Sequence, residues 1–431
     1  MFQKQLNILS EINPVRCMGK VKSMIGMMVE VVGITAKIGE ICRIKTSDNA
    51  EILAEAVGFR DESILLMAYD DVRGIGPGSL VQATREKLRV PVGDFLKGRT
   101  IDAVGKPIDG LGDFPPSACY QIESPYINPL GRPRISEPMS YGIKAIDGML
   151  TIGKGQRMGI FAGSGVGKST LMGMIARNVK SDINVIALVG ERGREVKEFM
   201  EKDLGPEGLA RSVLVVATSD QPAMFRVKCA IVATAVAEYF RDQGKDVLLM
   251  MDSLTRFAMA QREIGLATGE HPIARGYTPS IYTELPKLLE RSGNFETGSI
   301  TGIYTVLVEG DDTNEPISDT VRGILDGHIV LSRTLAHRNH YPAIDVNASI
   351  SRLMNDIVSK EHLDLAGRIR NLISTYNQSY DLISIGAYKP GSNPKLDEAI
   401  RKIDGINQFL TQKVNESFDF EEIISLMKKL S

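Results

Sequence analysis

One glycine-rich run constrains the fold of this chain more than any other feature. Residues 159–170 read GIFAGSGVGKST, with an apolar stretch before them and apolar residues at helical spacing after them. A strand, a glycine-rich loop and a helix in this order form a nest of backbone N–H groups at a helix N-terminus, where phosphate binds. The run therefore predicts a phosphate-binding loop in a nucleoside triphosphatase. A glycine-rich turn that only connects strand and helix is the alternative, and the Lys-Ser pair argues against it.

The loop also suggests roles for single side chains. Lys168 is expected to reach the β- and γ-phosphates of ATP, and the Ser169 hydroxyl to hold the Mg²⁺ that accompanies it. Ala162 stands where the general pattern has glycine, which is tolerable at an ordinary φ. The predicted nucleotide-binding residues are Gly163, Ser164, Gly165, Val166, Gly167, Lys168, Ser169 and Thr170.

Two acidic residues follow apolar runs that are predicted to be strands. Asp252 ends the run 247–251, and a carboxylate at the carboxyl end of a strand can hold Mg²⁺ through a water. Glu191 ends the run 183–190, where it is the best candidate to orient the attacking water. An acid after a strand can instead cap a helix, and a charged turn can simply be solvated. The neighbouring phosphate loop favours the catalytic interpretation of both.

Length and composition describe a globular chain of several domains. The chain has 431 residues, 43% hydrophobic and 24% charged, with a net charge of -2 that gives no basic field for nucleic acid. Its four cysteines are scattered, so neither a disulfide framework nor a zinc site is indicated. No leader sequence or run of 18 apolar residues is visible, and we expect a cytoplasmic protein.

The pattern of apolar residues divides the chain into four parts. Residues 1–17 form a tail, and short apolar runs between glycines predict a small β-barrel at 18–88. From 89 to 345, continuous apolar strands alternate with helices, which predicts an α/β domain with a mostly parallel sheet. Residues 346–431 have helical periodicity and predict a C-terminal helical domain.

Several motifs together carry a family resemblance. Beside the phosphate loop they read VGDFLKGR (92–99), IDAVGKP (101–107), GERGRE (190–195), YFRDQG (239–244) and DSLTR (252–256). In these runs the chain resembles the RecA-like rotary ATPases, and within them the ATPases of bacterial type III protein export, most closely the flagellar branch. Ala162 is also usual in the export branch.

The resemblance implies further site residues. Glu191 corresponds to the catalytic glutamate and Asp252 to the Walker B acid, while Arg192 and Arg256 correspond to arginines at the phosphate site. Tyr341, in HYPAID (340–345), matches a tyrosine that stacks on adenine. Arg352, in SISR (349–352), matches the arginine finger that each subunit donates to the next, so the resemblance implies a homohexameric ring.

The resemblance also implies partners and a cellular location. A coiled-coil stalk protein would occupy the central pore near residues 262–272, which could equally be an ordinary surface loop. A stator or regulator protein would bind the tail, where Phe2, Leu6, Leu9 and Ile12 share a helical stripe; fraying disorder is the alternative. The other partners that the resemblance implies are export chaperones, their substrates and a membrane export gate. It also implies that the ATPase is peripherally associated with the membrane export apparatus.

Three functions compete at this stage. An ATPase that drives flagellar protein export, by releasing substrates from chaperones and supporting their passage into the gate, is favoured over the equivalent ATPase of a virulence injectisome. A non-catalytic ring subunit would lack the glutamate that is present at Glu191. A Rho-like hexameric RNA translocase needs an RNA-reading N-terminal domain, and the N-terminal region here has few aromatic residues.

Overall fold

A computed structural model describes residues 18–124, 127–308 and 315–430. The predicted regulator-binding tail at 1–17 lies outside the described residues.

The N-terminal region is a closed antiparallel barrel, as its short apolar runs predict. The strand order is β1-β2-β5-β4-β3-β6. Alternate residues such as Val29, Val31, Ile44 and Leu66 point inward and are fully buried, as the two-residue period of a strand requires. The strands are β1 (Met18–Ile25), β2 (Met28–Val32), β3 (Glu40–Lys45), β4 (Glu51–Arg60), β5 (Ser63–Ala68) and β6 (Leu80–Lys87).

The remaining strands build the central sheet and three short pairings. They are β7 (Arg89–Pro91), β8 (Thr100–Asp102), β9 (Cys119–Gln121), β10 (Pro138–Met139), β11 (Ile152–Gly153), β12 (Arg157–Ala162), β13 (Ile183–Glu191), β14 (Ser212–Thr218), β15 (Asp246–Asp252), β16 (Gly293–Asn294), β17 (Ser299–Leu307), β18 (Gly327–Leu331) and β19 (Ile344–Ser351). The main sheet has the order β19-β18-β12-β17-β15-β13-β14-β8. Its pairings are parallel except for β18 with β19 and the short β16 with β17, which confirms the predicted α/β core.

Helices cover both faces of this sheet and form the C-terminal region. They are α1 (Lys144–Met149), α2 (Lys168–Asn178), α3 (Gly193–Glu198), α4 (Gly205–Ala210), α5 (Ala223–Asp242), α6 (Leu254–Ala267), α7 (Pro279–Leu289), α8 (Pro316–Ile324), α9 (Arg333–His337), α10 (Met354–Ile357), α11 (Lys360–Gln378), α12 (Tyr380–Ser384), α13 (Pro394–Leu410) and α14 (Phe420–Leu430). Because both faces are covered, all nine residues of β13 are buried.

The C-terminal helices pack onto the nucleotide-binding part of the chain. Helices α11, α13 and α14 share one apolar cluster with α1 and α2, to which Ile369, Phe409 and Met427 contribute. Strand β19 still belongs to the main sheet, so the sheet continues to Ser351 rather than ending near 345. No helix in the described residues is long and apolar enough to cross a membrane.

Candidate nucleotide site

The predicted phosphate loop joins the end of β12 to the start of α2. Ala162 is the last strand residue and Lys168 the first helical one. Between them Gly165 has φ 76° and Gly167 φ 88°, the left-handed region that favours glycine. The loop therefore leads directly into a helix N-terminus, and Ser164 and Gly165 are exposed at its tip. Such a site attracts anions through backbone N–H groups and the helix dipole.

The sheet order brings the two predicted acids to this loop. Strands β12, β17, β15 and β13 are consecutive neighbours and parallel, so their carboxyl ends meet at one edge. Asp252 ends β15 and Glu191 ends β13. The Lys168 Nζ donates a hydrogen bond to Asp252 Oδ1 and lies 3.8 Å from Glu191 Oε1. One ammonium group thus contacts the two carboxylates that the sequence analysis assigned to catalysis and Mg²⁺.

Asp252 is fixed by a neighbour on the adjacent strand. Its Oδ1 accepts a hydrogen bond of 2.7 Å from Thr305 Oγ1 on β17, and Asp252 is only 4% exposed. The hydroxyl of Thr305 therefore limits the rotation of this carboxylate. Thr305 could not be predicted from the sequence, because a threonine inside an apolar strand carries no local signature of a site.

Arg256 lies against Glu191, which is buried. Its Nε is 3.2 Å from Glu191 Oε1, its Nη2 is 3.3 Å from Oε2, and its Nη1 donates to the Gly190 carbonyl at 2.6 Å. Burial, chiefly, and then the nearby charge of Asp252 raise the pKa of Glu191 to about 7. A hydrogen bond with Glu195 adds to this effect and lowers the pKa of Glu195. A carboxyl group with a pKa near neutrality suits general base chemistry.

Arg192 differs from Arg256, although the resemblance gave both the same kind of role. Its side chain is 70% exposed, and Nη1 lies 3.3 Å from Glu195 Oε1. Within the described part of the chain, the structure shows no hydrogen bond or ion pair between the Arg192 guanidinium and Lys168, Glu191 or Asp252. The structure thus brings Arg256 to the Glu191 carboxylate and leaves Arg192 at the surface.

Tyr341 lies beside the phosphate loop. A methyl group added at the Gly167 Cα would stand 3.4 Å from Tyr341 Cε1, so the ring edge lies close to the loop. Tyr341 is 38% exposed, which leaves part of the ring open to a flat ligand.

Arg352 is remote from the phosphate loop of its own chain. Its backbone N–H donates to the Asp326 carbonyl at 3.0 Å, and the Asp326 N–H donates to the carbonyl of Arg157, the first residue of β12. The phosphate loop follows the last residue of β12. Because a strand rises about 3.3 Å per residue, roughly 17 Å separates the first residue of β12 from the last. Arg352 is exposed, and its Nη2 donates to the Arg322 carbonyl at 3.2 Å.

The donor atoms at the site fit a magnesium ion. Ser169 is exposed in the first turn of α2, and Asp252 ends the strand that faces Lys168. A hydroxyl and a carboxylate are hard oxygen ligands of the kind that Mg²⁺ takes together with phosphate oxygens and water. These residues therefore fit the predicted Mg²⁺.

Comparisons with known proteins agree with this geometry. Residues 142–351 match the sequence profile of the nucleotide-binding domain of the ATP synthase alpha/beta family, and residues 21–85 match its beta-barrel domain. Residues 358–429 match the C-terminal domain of the T3SS ATPase EscN. The profiles thus cover the barrel, the sheet and the C-terminal helices.

Individual proteins are similar over nearly the whole chain. The flagellum-specific ATP synthase of Bacillus subtilis is 58% identical over 96% of this chain and 95% of its own. The type 3 secretion system ATPase of Xanthomonas euvesicatoria is 50% identical over 96% and 94%. The structure of assembled EscN from enteropathogenic E. coli, in complex with its central stalk EscO, has a TM-score of 0.89 and 44% identity, covering 96% of this chain and 99% of that one.

The fold and site define a P-loop nucleotide-binding protein with a RecA-like core. The chain belongs to the ATP synthase alpha/beta family, in the branch that includes flagellum-specific ATP synthases and type 3 secretion ATPases.

Proposed function

We propose that this chain hydrolyses Mg-ATP to drive type III protein export in the assembly of the bacterial flagellum. In this role it releases substrates from their chaperones and supports their passage into a membrane export gate. The contact of Lys168 with both Asp252 and Glu191 beside the phosphate loop carries the catalytic part of the proposal. The whole-length similarity to a flagellum-specific ATP synthase supports the biological part.

The site residues divide the chemical work. Loop N–H groups and Lys168 bind the β- and γ-phosphates. Ser169 and Asp252 would hold Mg²⁺, which would supply charge neutralisation at the phosphate oxygens. Glu191 orients the attacking water and accepts its proton. Arg256, which contacts both Oε atoms of Glu191, holds that carboxylate in place.

The raised pKa of Glu191 predicts how activity depends on pH. Below about pH 7 this carboxyl group keeps its proton and cannot accept another from water. The kcat/KM for ATP, which reports on the free enzyme, should therefore fall about tenfold for each pH unit below 7. Initial rates between pH 5.5 and 8.5 with Mg²⁺ in excess test this. A profile that stays level down to pH 5.5 contradicts a base with this raised pKa.

A ring assembly completes the site. Arg352 is exposed and lies near the start of β12, roughly 17 Å from the end of that strand where its own phosphate loop begins. This distance supports donation of the Arg352 side chain to the site of a neighbouring subunit in a homohexamer. EscN has been seen assembled and bound to its central stalk. The predicted stalk segment, residues 262–272, begins in the last turns of α6 rather than in a loop, and continues into residues 271–276, which are all exposed. We assign the stalk contact to the end of this segment. The ring would act in the cytoplasm, at the base of the export apparatus.

A genetic experiment tests the pathway. Deletion of the gene should abolish swimming motility and the export of flagellar proteins into the medium, and the wild-type gene, but not Lys168→Ala, should restore both. Exposed Lys202→Ala provides a matched lysine control that should also restore them. Normal motility together with loss of secreted virulence proteins would instead assign the chain to an injectisome, which the similarity to the Xanthomonas protein keeps as the second candidate.

A further inference from the structure

A single buried residue connects three segments of the chain near the nucleotide site. Gln412 follows α13 and is 4% exposed. Its Oε1 accepts a hydrogen bond of 2.9 Å from the Lys144 N–H, and its Nε2 donates to the carbonyls of Gly142, at 2.8 Å, and Glu416, at 2.9 Å. The side chain therefore anchors residue 412 to the segment that leads into α1. A buried amide with every partner present has little freedom to move.

The backbone of the same residue holds Tyr341. The Gln412 N–H donates to the Tyr341 carbonyl at 2.9 Å. On its other side the Tyr341 ring lies close to Gly167 of the phosphate loop. Tyr341 thus lies between the loop and Gln412, and its main chain is fixed by the hydrogen bond from Gln412.

We propose that Gln412 is a positioning residue that sets the Tyr341 ring against the nucleotide base. This proposal rests on the proposed ATP hydrolysis and on base stacking by Tyr341. Gln412 contacts neither the phosphate loop nor the two catalytic carboxylates in the described part of the chain. Substitution of Gln412 should therefore weaken the contact with the base of the nucleotide and leave the binding of the phosphates unchanged.

A purely structural role makes a different prediction. If the buried amide of Gln412 contributes only to stability, its loss lowers the melting temperature and leaves the affinity for ATP unchanged. Inorganic tripolyphosphate separates the two roles, because it carries the phosphates of ATP without a base. It serves as a competitive inhibitor whose Ki reports on the phosphate site alone.

The experiment uses two substitutions in assembled rings. Gln412→Met has a similar shape and removes all three side-chain hydrogen bonds, while Gln412→Glu keeps the acceptor for Lys144 N–H and loses the two donated bonds. Both should raise the KM for ATP about five- to tenfold, because part of a base-stacking interaction is lost. The Ki of tripolyphosphate should stay within twofold of the wild-type value.

His362→Leu is the matched control. His362 on α11 is 1% exposed, and its Nε2 lies 2.7 Å from the Gly148 carbonyl of α1. This link also joins the C-terminal helices to α1, but it lies apart from the Tyr341 segment. The control should lower the melting temperature without changing the KM for ATP. Equal increases in KM in His362→Leu and Gln412→Met would overturn the proposal.

Tyr341→Ala separates the inference from the function on which it rests. It should raise the KM for ATP at least as much as Gln412→Met, and the double variant should show no further increase. An unchanged KM in Tyr341→Ala contradicts the base-stacking role itself. A raised KM in Tyr341→Ala with an unchanged KM in both Gln412 variants contradicts only the positioning role. A rise in the Ki of tripolyphosphate parallel to the rise in KM in the Gln412 variants also overturns the positioning role.

Ring mobility gives an independent measurement. The chain contains no tryptophan, so Tyr341→Trp introduces a single indole, which can be excited at a longer wavelength than the tyrosines. In this background Gln412→Met should lower the steady-state anisotropy of the indole, because its backbone anchor is looser, whereas His362→Leu should not. Equal anisotropy in all three proteins contradicts the proposal.

Discussion

Glu191→Ala should abolish ATP turnover and leave the affinity for Mg-ATP within a few fold of wild type. The expected loss in kcat is about 10²- to 10⁴-fold, the usual contribution of a positioned general base. Affinity should survive because the loop and Lys168, rather than Glu191, contact the phosphates of the ground state. Equilibrium binding of a fluorescent nucleotide, measured beside steady-state hydrolysis, separates the two effects.

Two further variants complete this experiment. Lys168→Ala should weaken nucleotide binding as well as hydrolysis, because its charge contacts the bound substrate before reaction. Glu198→Ala removes an exposed glutamate from the neighbouring helix α3 and should behave as wild type. Loss of ATP binding in a folded Glu191→Ala variant would show that Glu191 belongs to the binding site and not to the chemical step.

Arg352→Ala should retain ATP binding and lose most hydrolysis. An arginine finger contributes about 10³- to 10⁵-fold to the rate by stabilising charge on the transferring phosphoryl group. Arg352→Lys should recover little activity, because an ammonium group lacks the planar geometry of a guanidinium. Arg401→Ala, which removes an exposed arginine from α13, is the matched control. Hydrolysis rates per assembled ring provide the measurement.

An internal structural role for Arg352 predicts the opposite result. In that case Arg352→Ala would lower the melting temperature and leave the activity of each folded subunit nearly unchanged. The hydrogen-bond partner of the guanidinium in the structure is the main-chain carbonyl of Arg322, which solvent can replace at this exposed position. A surface contact of this kind contributes little to stability, so we expect a small change in melting temperature.

Local sequence patterns predicted the barrel, the parallel sheet and the carboxylates near the loop. Asp252 and Glu191 were found because the carboxyl ends of parallel strands meet at one edge. Thr305 and Gln412 were missed for a different reason. The contact of Gln412 with Lys144 spans 268 residues of sequence, and nothing near either residue marks it.

Two adjacent residues of the GERGRE motif (190–195) differ in their burial. Arg192 directly follows Glu191, yet its side chain is largely exposed, whereas Arg256 contacts Glu191 from another helix. The motif gives only the order of these residues along the chain. Which of their side chains faces the nucleotide site depends on where β13 ends. The extent of β19 was similarly missed, since Ser349 and Ser351 interrupt its apolar pattern.

Complementation in mixed rings tests the shared-site account most directly. Neither Arg352→Ala nor Glu191→Ala subunits should hydrolyse ATP alone. In rings that contain both, some interfaces pair an intact Glu191 with an intact Arg352 from the neighbouring subunit, and hydrolysis should reappear there. No recovery in mixtures shown by sizing to form joint rings would contradict an active site built from two subunits.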